Sequence, residues 1–156
     1  MYKLLTSTLL LLTIFSTNVL SQNNAQKRAK EFNVSNAVGI QGYDPVSYFI
    51  QGKAVKGKKE TAATTEGVTY YFSSITNKEA FLKKPSYYEP QYGGWCAYAM
   101  GNSGEKVEVD PETFKIKDGK LFLFYNFYFN NTLKSWNKDE TNLKSKADAN
   151  WKNIYK

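Results

Sequence analysis

From Val38 onward, short apolar runs alternate with polar, glycine-marked breaks, and the spacing inside each run indicates the element it forms. Val38 to Ile40 reads as a brief strand. In Gly42-Tyr43-Asp44-Pro45-Val46-Ser47-Tyr48-Phe49, Asp44 suits a helix N-cap and Pro45 the first helical position, so a short helix should run to about Ile50 and stop at Gly52. Thr61 to Thr65 and Val68 to Phe72 flank Glu66-Gly67, a two-residue hairpin turn. Strand alternation then places Val68, Tyr70 and Phe72 on one buried face. Thr76 and Glu79 have capping-box spacing ahead of a helix that carries Phe81 and Leu82 and ends at Pro85.

Beyond the loop Gly101-Asn102-Ser103-Gly104, a second hairpin pairs Phe114 to Lys117 with Lys120 to Tyr125 through Asp118-Gly119. Its second strand is apolar on both sides, with Leu121, Leu123 and Tyr125 on one face and Phe122 and Phe124 on the other. Phe129, Leu133 and Trp136 step at helical spacing, as do Leu143, Ala147, Trp151 and Ile154 after a break near Asp139. The pattern predicts an α+β fold: a small antiparallel sheet built from two hairpins, covered by short helices and a C-terminal helix pair.

The start of the chain follows a different rule. Lys3 precedes a nearly uncharged stretch from Leu4 to Leu20, and small Ser21 follows, which is the layout of an export signal cleaved near Ser21-Gln22. Interruptions such as Thr13, Ser16 and Asn18 make a transmembrane anchor the weaker reading. Removal leaves roughly 135 residues, enough for one domain with a core of its own. Residues 1–21 are therefore expected to be a signal peptide, 22–36 a polar flexible spacer or frayed helix, and 37–156 the domain, periplasmic or secreted.

Charge and composition narrow the chemistry. The net charge of +7 is spread along the chain without a dense basic block, so no nucleic-acid partner is expected, nor stable membrane insertion once the leader is gone. There is no histidine, which removes catalytic imidazole, Ser-His-Asp arrangements and ordinary zinc sites. A single cysteine excludes an internal disulfide. Asn33-Val34-Ser35 and Asn130-Asn131-Thr132 match the glycosylation pattern, relevant only in a host that glycosylates its exports.

That cysteine lies in Pro85-Ser86-Tyr87-Tyr88-Glu89-Pro90-Gln91-Tyr92-Gly93-Gly94-Trp95-Cys96-Ala97-Tyr98-Ala99-Met100, where the prolines and the glycine pair predict a sharply turned corner. An unpaired cysteine is often only a small buried hydrophobe. A helix starting near Trp95 would instead favour a reactive thiolate at Cys96. Three uses compete. Cys96 and Met100, four apart, would offer sulfur ligands to a soft ion such as copper. Cys96 alone would serve as a catalytic redox thiol resolved by an external thiol partner. Alternatively Tyr88, Tyr92, Trp95 and Tyr98, with Tyr87, would form an aromatic pocket for a small ligand or another protein, with no sulfur chemistry.

Gly42-Tyr43-Asp44-Pro45-Val46, Tyr70-Tyr71-Phe72-Ser73-Ser74, Pro90-Gln91-Tyr92-Gly93-Gly94-Trp95-Cys96-Ala97-Tyr98, Asp118-Gly119-Lys120-Leu121 and Ala147-Asp148-Ala149-Asn150-Trp151 occur in that order. With them the chain resembles the YHS domain family, in its exported YHS domain-containing (seleno)protein subgroup, from about Val38 to Trp151. The resemblance implies a cysteine or selenocysteine position at Cys96, and hence a functional sulfur. It also implies that the cysteines many short YHS domains use for soft metals are replaced here by Ser47, Ser73 and Asn77, none of which supplies a thiolate. The expected function is an exported soft-metal, copper-type, or thiol-redox protein acting through Cys96; the alternative is a non-catalytic interaction or small-ligand module around Tyr92 and Trp95.

Overall fold

The computed structural model describes residues 22–156, so the expected leader over residues 1–21 lies outside the described residues. Residues 22–31 form helix α1. The region expected to be a flexible spacer or a frayed helix is thus helical and held against the domain. Arg28 is buried and pairs with Glu89, Trp95 Nε1 donates to the Glu31 carbonyl at 2.7 Å, and Asn33 N–H donates to the Gly93 carbonyl at 2.8 Å. Apolar periodicity misses this helix because its inward group is a guanidinium rather than a hydrocarbon.

Strands β1 (Val34–Ser35), β2 (Val38–Gly39), β3 (Lys58–Thr65) and β4 (Val68–Phe72) form a sheet in the order β1-β2-β4-β3. The β2–β4 pair is parallel and the others antiparallel. The expected Glu66-Gly67 hairpin is present, with Thr64 opposite Thr69, and Val68, Tyr70 and Phe72 are buried as the alternation requires. Helix α2 (Ser47–Ile50) follows the Asp44-Pro45 turn. Helix α3 (Ile75–Lys83) is capped two residues earlier than the Thr76 and Glu79 spacing suggests: Ser74 Oγ accepts the Asn77 N–H at 3.1 Å.

Helix α4 (Pro85–Tyr88) leads to the corner and α5 (Ala97–Asn102) leaves it. Strands β5 (Asp110–Lys117) and β6 (Lys120–Phe124) make the second hairpin, but it stands as its own two-stranded ribbon rather than joining the first sheet. A short arm follows, β7 (Asn126–Phe127) paired with β8 (Asn130–Asn131), then α6 (Thr132–Trp136) and α7 (Glu140–Ile154). Phe129, expected on a helix with Leu133 and Trp136, instead sits at the tip of the arm. Asn131 starts α6 two residues later by accepting the Leu133 N–H at 3.1 Å.

Two buried clusters meet at β6. Leu121 and Leu123 belong to the one built with Val46, Tyr48, Tyr70, Phe72 and Phe81, while Phe122 and Phe124 belong to the other, with Met100, Trp136, Leu143 and Ala147. A strand apolar on both faces is therefore placed where both faces are covered. Helix α5 lies close to α7: a Cβ on Gly101 would stand 2.4 Å from the Leu143 carbonyl oxygen. Among the described residues, no helix is long and apolar enough to cross a membrane.

Candidate functional site

The corner is sharp because three consecutive residues, Tyr92, Gly93 and Gly94, have φ of 57°, 60° and 87°. Left-handed backbone is inexpensive for glycine and uncommon for tyrosine, so Tyr92 is held there by its contacts. Its ring lies in the second cluster and its hydroxyl donates to Asp148 Oδ1 at 2.9 Å. Burial, and then the Asp148 carboxylate, push the Tyr92 hydroxyl well above the ordinary tyrosine value. Cys96 follows as the residue before α5: its N–H donates to the Val107 carbonyl at 2.9 Å and its carbonyl accepts the Met100 N–H at 3.0 Å.

The Cys96 side chain has no solvent exposure. Tyr125 N–H donates to Sγ at 3.3 Å, and Sγ lies 3.4 Å from Thr132 Oγ1. The one hydroxyl proton of Thr132 goes to the Tyr125 carbonyl, at 2.9 Å, so in the Cys96 contact the thiol is the donor. The three groups close a ring: thiol to hydroxyl, hydroxyl to carbonyl, and the same residue's N–H back to sulfur. Sequence spacing carries no signal of this, because Thr132 and Cys96 are 36 positions apart.

Beside this ring is a surface cleft of about 230 Å³ with Cys96 in its wall. One side comes from α5 and the turn after it, through Tyr98, Asn102 and Ser103; Glu105 and Val107 continue that side. The other comes from the arm and its base, through Tyr125, Asn130 and Thr132. Two segments that the sequence presents as a loop and as a glycosylation pattern thus face each other across the cleft. Its lining among the described residues holds one carboxylate, Glu105, and no lysine or arginine, in a chain with 21 of them.

The expected site residues are dispersed around this geometry. Tyr98 alone of the four expected aromatics shares the cleft with Cys96. Tyr92 is core rather than surface. Trp95 is half-buried, its Nε1 committed to Glu31 of α1. Tyr88 packs with Phe49 and Tyr87 at ring separations of 5.4 and 4.9 Å and lines a different cleft, with Thr76 and Lys84. Cys96 has ψ of 116° and stands outside the helical backbone, so the four-residue spacing to Met100 does not align the two sulfurs as helical spacing would. Met100 is fully buried in the second cluster and Cys96 in the first. Among the described residues no group of three or more histidine, cysteine, aspartate or glutamate side chains converges on a point.

Ser47, Ser73 and Asn77 do converge, on Asp44. The buried Asp44 carboxylate accepts from the N–H groups of Val46 at 2.9 Å, Ser47 at 3.4 Å and Ser73 at 2.8 Å, and from Ser73 Oγ at 2.6 Å and Asn77 Nδ2 at 2.7 Å. Five donors fill the lone pairs of one carboxylate, so this cluster ties α2, the residue after β4 and α3 together and has no acceptor site left for a ligand.

Comparisons with known protein families, with curated proteins and with solved structures give no match to the chain.

Proposed function

We propose that the chain is a small-ligand-binding domain whose site is the Cys96 cleft, and that the site favours a small organic cation or neutral polar molecule over an anion. The observation that carries this reading is the charge of the lining: two tyrosines, one glutamate and several amides and hydroxyls, without a basic group, in a protein of net charge +7. Tyrosine faces and a carboxylate attract a small cation, and the amides and hydroxyls orient it. The test is a titration with tetramethylammonium and, separately, acetate, followed by backbone amide shifts. Saturable shifts at Ser103, Asn130 and Thr132 with the cation, weakened by Glu105→Gln, are expected. No saturable shift at the cleft, or equal binding of acetate, overturns the reading.

A second reading keeps the sulfur at the centre, as a thiol-redox or copper-type protein of the exported YHS kind. Two features support it: Cys96 forms part of the cleft wall, and Ser47, Ser73 and Asn77, which the resemblance matches to the cysteines of short YHS domains, lie together around Asp44. The thiolate is the reactive and ligating form, so this use requires the contact with Thr132 to open first. Stoichiometric Cu(I) binding lost in Cys96→Ala, or peroxide oxidation of Cys96 at a rate above that of a free thiol, would support it; absence of both removes it.

A further inference from the structure

The β7–β8 arm carries three consecutive aromatics: Phe127 packs edge-on against Tyr125, with ring centroids 5.1 Å apart, while the tip residues Tyr128 and Phe129 point away from the fold. Phe127 is 41 % exposed, Tyr128 92 %, and Phe129 entirely. The two tip residues also have φ of 52° and 64°. A two-residue turn of this kind is served by asparagine and glycine, whereas bulky side chains are strained in that region. Tyr128 and Phe129 therefore make the turn harder to form and gain almost no packing within the molecule in return. Backbone strain combined with exposure is the signature of a position shaped for a contact outside the chain.

The arm is also held firmly at its base. Thr132 donates to the Tyr125 carbonyl through both its N–H, at 3.0 Å, and its hydroxyl. Tyr125 is bonded in turn to Cys96 Sγ, and Asn126 Nδ2 donates to Thr113 Oγ1 at 2.9 Å. The rings are thus presented from a fixed support, which lowers the ordering cost of whatever they bind.

We propose that the arm is a peripheral docking finger whose Tyr128 and Phe129 rings enter the interfacial layer of an anionic lipid bilayer. Two features decide against a protein partner. A buried aromatic contributes roughly 150–250 Å², so even all three rings together fall short of the roughly 800 Å² that each partner buries in a stable protein interface. A bilayer needs no complementary surface around the rings. A second copy of the chain would carry the same net charge of +7 and be repelled, whereas an anionic leaflet is attracted. Lys134 and Lys138, exposed on and just after the helix that starts at the arm's base, supply positive charge behind the tip. The contact is superficial, in keeping with the lack of a membrane-crossing helix among the described residues.

The experiment is co-sedimentation of the chain from Gln22 to Lys156, which contains both core clusters, with vesicles of phosphatidylglycerol and phosphatidylcholine in equal parts and with phosphatidylcholine alone. The parent should partition onto the anionic vesicles and be released by salt. Tyr128→Ser combined with Phe129→Ser should lower that partitioning by about tenfold or more, with unchanged circular dichroism, since the side chains support no core. Phe129→Trp should retain binding and show added fluorescence quenching by lipids brominated in the acyl chain. Parent that stays in solution, a double serine variant that binds as well as the parent, or a tip-dependent dimer in place of vesicle binding each overturns the proposal.

Discussion

The Tyr92 hydroxyl donates to Asp148 Oδ1 across 2.9 Å and fastens helix α7 to the Cys96 corner. A residue whose neighbours suggest a binding surface is in this way a structural peg, and two other tyrosines share its situation. Tyr48 donates to the Pro111 carbonyl at 3.0 Å, and Tyr70 is fully buried against Phe81, with ring centroids 5.0 Å apart.

These three pegs set the alkaline limit of the fold. Burial is the first cause holding all three hydroxyls above the ordinary tyrosine value of 10.0, with neighbouring carboxylates adding to it. The folded state keeps protons that the unfolded chain releases, so stability is full below pH 10 and declines as pH rises past it. Tyrosinate absorbance of these residues should appear together with loss of circular dichroism. Their ionisation in a still-folded protein would contradict the assignment.

The Cys96 ring predicts a coupling between stability and thiol access. Thr132→Val keeps the shape but removes the acceptor for the thiol and a donor to the Tyr125 carbonyl, at a cost of roughly 1–3 kcal/mol. Alkylation of Cys96 should accelerate in the same variant under native conditions. A variant with unchanged denaturation midpoint and unchanged alkylation rate would show that the ring is not closed in solution.

Gly101→Ala tests the approach of α5 to α7. The added methyl would meet the Leu143 carbonyl oxygen, a backbone atom that can move only with its helix, at 2.4 Å. Overpacking of this kind typically costs roughly 1–3 kcal/mol. The melting temperature should fall accordingly, and an unchanged value would mean the two helices are further apart than described.

Arg28 and Glu89 make the corresponding test for α1. Their side chains are 7 % and 11 % exposed, and Arg28 also lies 3.4 Å from Glu66. Removing one partner of a buried pair leaves the other charge without compensation, typically a loss of about 3–5 kcal/mol. Arg28→Met should therefore destabilise more than the double change Arg28→Met with Glu89→Leu, measured by urea denaturation. Equal losses would place α1 off the domain in solution.

Much of the fold was legible because it obeys local rules. The Glu66-Gly67 and Asp118-Gly119 turns, the Val68, Tyr70 and Phe72 face, and the Leu143 to Ile154 helix all follow from residue type and period. What escaped was set by partners distant in sequence. Arg28 reads as a polar spacer residue until Glu89 is beside it, and Phe129 keeps helical spacing with Leu133 although strand pairing of Asn126 with Asn131 claims its segment. The site follows the same division. Its cysteine and the sharp corner are visible in Pro90 to Cys96, whereas the opposite wall, Asn130 and Thr132, is brought there only by the arm.

Strand β6 has one further consequence, for how the molecule comes apart. Because Leu121 and Leu123 face one cluster and Phe122 and Phe124 the other, loosening either half strips a wall from its neighbour. The domain should melt as one cooperative unit, with the β6 amides among the last to exchange with solvent, and without a half-folded species in which the sheet side survives the helical side.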